Sequence, residues 1–169
     1  MKILAIRLKN LASLAGPFEL DFTAEPLASA GLFAITGPTG AGKSTLLDAL
    51  CLALFGAVPR LNNTGRDAKV PDVDGEIATG DPRTLLRRGT GEGYAEVDFV
   101  GIDGRRYRAR WEANRAREKA TGKLQASRQS LRDLDSDQLL ASQKGDYKVQ
   151  LEARLGLNFE QFTRAVMLA

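Results

Sequence analysis

The chain has 169 residues, with 43% hydrophobic and 27% charged, which suits one domain able to bury its own core and excludes a disordered chain. The longest strongly apolar run, residues 46–55, is too short to cross a bilayer and carries Asp48, and the N-terminus alternates around Lys2 and Arg7 with no cleavage site behind it. One cysteine, Cys51, excludes an internal disulfide, so membrane, signal-peptide and disulfide-scaffold classes fall away and a reducing cytoplasm is the expected location.

Residues 2–11 alternate Ile3, Leu4, Ile6 and Leu8 with Arg7 and Lys9, which predicts a first strand with one wetter face. Gly16-Pro17 predicts a turn into a second strand, where Phe18, Leu20 and Phe22 share a side. Residues 31–36, Gly-Leu-Phe-Ala-Ile-Thr, form a short apolar run that predicts a strand buried on both faces.

That run leads into Gly37-Pro38-Thr39-Gly40-Ala41-Gly42-Lys43-Ser44, which fits the G-x-x-x-x-G-K-[ST] pattern of a P-loop. The chemistry explains the spacing. Glycines let backbone N–H groups converge on phosphate oxygens, the Lys43 ammonium reaches β- and γ-phosphates, and the Ser44 hydroxyl can bind Mg²⁺. The loop must leave a strand and open a helix, and residues 45–55 are rich in strong helix formers with Gly56 as a C-terminal stop. Within that helix Leu47, Leu50, Cys51 and Leu54 recur at helical spacing, so that they are expected to face the sheet, with Cys51 as inert packing.

From residue 57 to 93 Pro, Gly and Asn punctuate the chain, Asn62-Asn63 and Gly65 among them, which predicts mostly loop with a helical turn around residues 84–88. Residues 94–100 alternate again, Asp103-Gly104 is a hairpin signal, and residues 105–111 answer as the partner strand. Tyr107, Ala109 and Trp111 share a packing face with Arg105, and Arg106, Arg108 and Arg110 share the other, which reads as a basic side. Residues 121–123 predict a loop tip, residues 125–134 and 138–142 strands joined at Asp135-Ser136-Asp137, and residues 145–155 a helix stopped by Gly156. Asn158 is expected to cap a last helix running to Ala169.

An ATPase also needs an acid to hold Mg²⁺, usually at the end of an apolar strand. No convincing one follows the P-loop, because Asp103, the nearest, is better used in its own turn. Asp72-Val73-Asp74-Gly75 imitates a GTPase switch, but no Asn-Lys-x-Asp guanine motif follows. Two other readings stay open on the residues: a nucleotide- or DNA-binding module without turnover, and an independent P-loop kinase with Arg83, Arg87 and Arg88 as lid.

Several stretches together resemble the N-terminal ATPase half of the SbcC family, ABC-type ATPases related to the structural-maintenance-of-chromosomes proteins. These are Met1-Lys2-Ile3-Leu4 with Leu8-Lys9-Asn10-Leu11, residues 31–49 around the P-loop, Trp111 with Asn114-Arg115-Ala116-Arg117, and Phe162-Thr163-Arg164. The resemblance runs the whole length. It implies an α/β P-loop NTPase fold of ABC-ATPase type, whose N-terminal lobe sets an antiparallel β layer beside the P-loop strand and helix. Residues 1–169 would be that half of the head, with the coiled coil, the C-terminal half and the missing acids beyond Ala169, so that this chain alone would be an incomplete ATPase. It further implies ATP and Mg²⁺ as cofactors, with Gly37, Pro38, Thr39, Gly40, Ala41, Gly42, Lys43, Ser44 and Thr45 around the triphosphate, Lys43 catalytic, Ser44 on the metal and Thr45 at the α-phosphate. Two heads would sandwich ATP as a homodimer. They would act with SbcD, a metal-dependent nuclease, on double-stranded DNA ends and hairpins in repair. Some relatives carry an arginine in the turn after the first strand that reaches the nucleotide; here that stretch is Asn10-Leu11-Ala12-Ser13-Leu14, and no nucleotide contact is assigned to it.

The net charge of +3 is unevenly placed, because residues 105–128 hold nine Lys or Arg against Glu112 and Glu118. Arg106, Arg108, Arg110, Arg115, Arg117, Lys119 and Lys123 could gather on a phosphate-binding surface for DNA. The competing reading is a solvated hairpin.

Overall fold

The alternation at the N-terminus becomes β1 (Lys2–Leu11) in the computed structural model of the chain, which describes residues 1–62 and 68–165. β2 (Leu14–Asp21) returns antiparallel and pairs Leu14 with Leu11, so the turn is Ala12-Ser13 and not the expected Gly16-Pro17. Pro17 lies inside β2 opposite Lys9. β2 is an edge strand, where a missing N–H need not break a ladder bond.

Residues 57–93 hold more structure than punctuation predicts. α2 (Pro59–Asn62) is a single turn, and β3 (Lys69–Asp72) and β4 (Gly75–Ala78) pair as a hairpin, so the switch-like Asp72-Val73-Asp74-Gly75 stretch is its turn. A 3₁₀ helix, Pro82–Leu85, follows near the expected helical turn, capped by the Asp81 carboxylate on the Arg83 N–H. The punctuation at Asn63 and Gly65 lies outside the described residues.

β5 (Glu92–Val100) and β6 (Arg106–Asn114) form the expected hairpin, followed by β7 (Arg128–Asp133) and β8 (Gln138–Ala141). The six strands lie in the order β2-β1-β5-β6-β7-β8, and every pairing is antiparallel. Register puts Ile6, Val97, Ala109 and Leu131 in one row across the sheet, all buried. Alternation places Leu8, Ala95, Phe99, Tyr107 and Trp111 on that same inner face.

α1 (Lys43–Phe55) crosses the inner face over β1, β5 and β6. A helix apolar nearly all round must be covered on its other side too. α3 (Lys144–Leu155), which packs on β7 and β8, reaches it through the Tyr147 hydroxyl, 2.6 Å from the Ala53 carbonyl. α4 (Phe159–Ala165) reaches it through Phe159 and Phe162, whose rings lie 5.4 and 5.2 Å from that of Phe55. Leu50, Cys51 and Leu54 are buried as expected, whereas Leu47 points outward, 43% exposed. Burial pushes the Cys51 thiol up to about 12, in keeping with inert packing. Gly56 ends α1 at φ +63 with its N–H on Leu52 O. Asn158 and Gln161 cap α4 reciprocally, each side-chain oxygen accepting the other's backbone N–H. The expected extension of α4 through residues 166–169 lies outside the described residues.

The largest departure is residues 31–36. They belong to no strand, and Leu32, Phe33 and Ile35 are 93%, 46% and 44% exposed instead of doubly buried. The side-chain pattern is strand-like, but a strand also needs a neighbour for its N–H and C=O groups, and none of the described strands pairs with this run. Its ring contact is local, Phe33 against Phe22 at 5.3 Å.

Candidate nucleotide-binding site

Gly42, at φ +95, is the N-cap of α1, and Gly40 sits at φ +85. Both conformations are costly for any residue with a Cβ. Gly42 is constrained twice, because a Cβ there would stand 2.7 Å from Leu14 Cδ2, while a Cβ at Gly40 would point into open space. The N–H groups of Lys43, Ser44 and Thr45 open the helix and have no carbonyl four residues back inside it. α1 has no side-chain cap and no acid in its first turn, so its positive end is not neutralised locally. The Lys43 ammonium folds over the loop, donating to Gly37 O at 2.6 Å and Pro38 O at 2.8 Å. Backbone N–H groups, an ammonium and the Ser44 hydroxyl are the donor set that a polyphosphate requires.

Thr45 is buried, and Asp48, one helical turn after Ser44, is buried against Arg60 of α2. Among the described residues no group of three or more His, Cys, Asp or Glu could hold a metal ion. The Ser44 hydroxyl, in the first turn of α1, is chemically suited to serve Mg²⁺ as one oxygen beside phosphate and water, the way that ion is commonly held. Asp103 accepts hydrogen bonds from the Arg105 N–H and the Tyr107 hydroxyl, so it serves its hairpin as expected.

The second stretch marked by sequence divides. Register aligns Arg7 with Glu19 on one side and Glu96 on the other, Glu96 with Arg110, and Asp98 with Arg108. Arg108 donates twice to Asp98 at 2.7 Å, and Arg110 reaches Glu96 at 3.1 Å while its guanidinium lies 4.1 Å above the Tyr94 ring. Arg106 pairs with Asp135 at 2.7 Å. The outward face of β6 is thus a ladder of alternating charge and not a basic side, because β5 presents an acid opposite each of Arg108 and Arg110. Arg105, expected on the packing face, is half-exposed and reaches buried Asp133 at 2.6 Å.

Further on, Arg115 grips Asp72 in the β3–β4 turn at 2.6 and 3.2 Å, and Lys123 reaches Asp74 at 2.9 Å. Arg117 and Lys119 are exposed, and among the described residues neither side chain has a hydrogen bond or ion pair. Arg117 and Glu118 both hold positive φ, +58 and +54, in a segment so close to Gly91 that a Cβ there would meet Glu118 O at 1.8 Å. Two of the three kinase-lid arginines are engaged elsewhere, and exposed Arg88 has no hydrogen bond or ion pair among the described residues. Arg83 is bound to Asp81 and Arg87 to the carbonyls of Ala12 and Ser13. Sequence reading missed the Asp48–Arg60 and Arg115–Asp72 pairs, and nothing in the local pattern signals partners that far apart.

A family model described as an AAA domain matches residues 5–169. The chain is 69% identical over its whole length to the SbcC subunit of nuclease SbcCD from Pseudomonas aeruginosa and 55% identical to that of Rhodobacter capsulatus. Against the protein of the same name from Deinococcus radiodurans it is 35% identical over 99% of the chain. It spans 14%, 14% and 16% of the length of these relatives. On the match across residues 5–169, the chain belongs to the AAA domain family.

Proposed function

We propose that the chain forms the phosphate-binding part of an ATPase head in an SbcC-type nuclease subunit. The observation that carries this reading is the loop at Gly37–Ser44, whose left-handed glycines, unpaired helix N–H groups and Lys43 ammonium converge at one helix end. The likeness to SbcCD nuclease proteins along the whole chain supports the same assignment.

Lys43 exchanges its bonds to Gly37 O and Pro38 O for β- and γ-phosphate oxygens, the opening N–H groups of α1 and the Thr45 end of the loop bind the remaining phosphates, and Ser44 orients Mg²⁺. ATP with Mg²⁺ supplies the phosphoanhydride that is hydrolysed. Residues 31–36 support a second half of the head, because their exposed apolar run becomes a buried strand once neighbouring strands flank it. That half brings the acids for hydrolysis and the coiled coil. Two heads sandwich ATP, an SbcD-type nuclease and double-stranded DNA are the partners, and the location is cytoplasmic. Among the described residues no helix is long and apolar enough to cross a membrane.

The test is ATP binding and turnover with Mg²⁺ by this chain, then by the chain mixed with the C-terminal half of the same protein, with Lys43→Ala as control. Turnover only in the mixture, lost in Lys43→Ala, is expected. Turnover by the chain alone overturns the split reading.

A further inference from the structure

Arg87 is the strongest unexplained feature near the loop. Its Nη1 donates to two successive carbonyls in the β1–β2 turn, Ala12 O at 3.1 Å and Ser13 O at 2.8 Å. Backbone bonds fix the same meeting point, with Arg87 N on Asn10 O at 2.9 Å, Ala12 N on Leu85 O at 2.8 Å and a bridge between Leu11 and Leu86. Leu86 is seated over Gly93, where a Cβ would stand 2.7 Å from its Cδ1.

The turn needs such a grip. Asn10 and Ala12 hold φ of +54 and +46, a region that disfavours a residue with a Cβ; Asn10 offsets the strain with its side-chain bond to Glu92 O at 2.9 Å, and Ala12 has no such group. The turn ends in Leu14, and Leu14 is the side chain packed beneath Gly42 at the N-cap of α1.

We infer that Arg87 is a positioning residue for the phosphate loop: it holds a strained turn so that Leu14 supports Gly42, and through Gly42 the N–H groups of the loop. This rests on the nucleotide reading of the loop. Arg87 does not touch the nucleotide in this role. A shift of the donors by a fraction of an ångström suffices to weaken binding, since fixed donors are useful only where the phosphate oxygens lie.

The experiment measures Mg²⁺-ATP affinity and thermal unfolding of the full-length protein for Arg87→Ala, Leu14→Ala, both together, and Arg87→Ala with Ala12→Gly. Arg87→Ala is expected to weaken ATP roughly tenfold, Leu14→Ala by a similar factor, and the pair by no more than either alone, because they act in series. Ala12→Gly, which removes the strain, is expected to restore most of the affinity lost in Arg87→Ala. A guanidinium acting directly on phosphate predicts the opposite, with additive losses and no rescue by glycine, and that result overturns the inference. Should Arg87→Ala not fold, Arg87→Met keeps the apolar stem and takes its place. Lys43→Ala is run alongside: if it still binds ATP normally, the nucleotide reading itself fails, independently of Arg87.

Discussion

Arg60 of α2 lies across the buried carboxylate of Asp48, with Nη2 2.6 Å from Oδ2 and Nε 3.0 Å from Oδ1. The pair ties the chain after α1 back to the helix one turn past Ser44. Burial raises the Asp48 carboxyl above its ordinary value, and the Arg60 hydrogen bond and charge oppose that rise. Removing the guanidinium leaves the acid buried without its opposing charge. Arg60→Ala is expected to destabilise the fold by about 2 kcal/mol near neutral pH, less than for a fully buried pair because Arg60 is itself half-exposed and solvent screens it. The sign with pH follows from the raised value. Between the unfolded and folded values the folded state binds more protons, so stability falls as pH rises above about 4. Denaturant unfolding across that range is expected to show a steeper fall in Arg60→Ala than in the parent, and none from this site in Asp48→Asn. Equal slopes in parent and Arg60→Ala would remove the coupling.

Asp98 anchors the charge ladder on the outer face of the sheet. Its burial alone would raise the carboxyl, but hydrogen bonds from Arg108 and Arg7 outweigh burial and hold it below the ordinary carboxylate range. A depressed acid contributes stability that is present above about 4 and lost as pH falls through the folded value. Asp98→Asn is expected to cost about 3 kcal/mol at neutral pH, since two guanidiniums lose their shared partner, and to flatten the loss of stability in acid. Unfolding midpoints at neutral and acid pH for parent and variant check both parts; an unchanged midpoint at neutral pH would mean that solvent already screens the ladder.

The strands and helices legible in the sequence are those whose own residues satisfy them. The β5–β6 hairpin carries its turn signal and buries Tyr107, Ala109 and Trp111 by alternation, and α3 carries its glycine stop. Residues 31–36 have side chains suited to a buried strand, yet none of the described strands pairs with them, and a run's own residues do not say whether a pairing partner is there. The glycine turn that opens α1 at residues 37–44 was legible for a related reason, since glycine spacing and the lysine are local. Its support was not: Leu14 beneath Gly42 and Arg87 on Ala12 join segments far apart in the chain. The basic face misled because alternation counts charges along one strand, whereas Glu96 and Asp98 that neutralise them lie on the next.

That neutralisation narrows the proposed DNA surface. Arg105, Arg106, Arg108 and Arg110 are bound to acids of the sheet and its turns, and Arg115 and Lys123 to the β3–β4 turn, which leaves Arg117, Lys119 and, at the start of β7, Arg128 as the cations of the stretch without a partner among the described residues, the first two on one segment. The backbone that presents those two is held by hydrogen bonds from Ala116 N to Lys123 O at 2.8 Å, Glu118 N to Arg115 O at 2.9 Å and Gly122 N to Lys119 O at 2.8 Å and by close approach to Gly91, so it loses little backbone freedom on meeting a phosphate chain. Arg117→Glu with Lys119→Glu in the complete protein is expected to weaken DNA binding and to reduce the salt slope by about 2, near one unit for each phosphate no longer neutralised. Arg108→Ala is expected to leave the slope unchanged and to lower stability, because its charge already belongs to Asp98. The measurement is DNA affinity against salt concentration for parent and both variants. A slope that drops in Arg108→Ala and stays level in the double reversal would return the DNA-binding role to the sheet face and leave the 115–119 segment as a solvated turn.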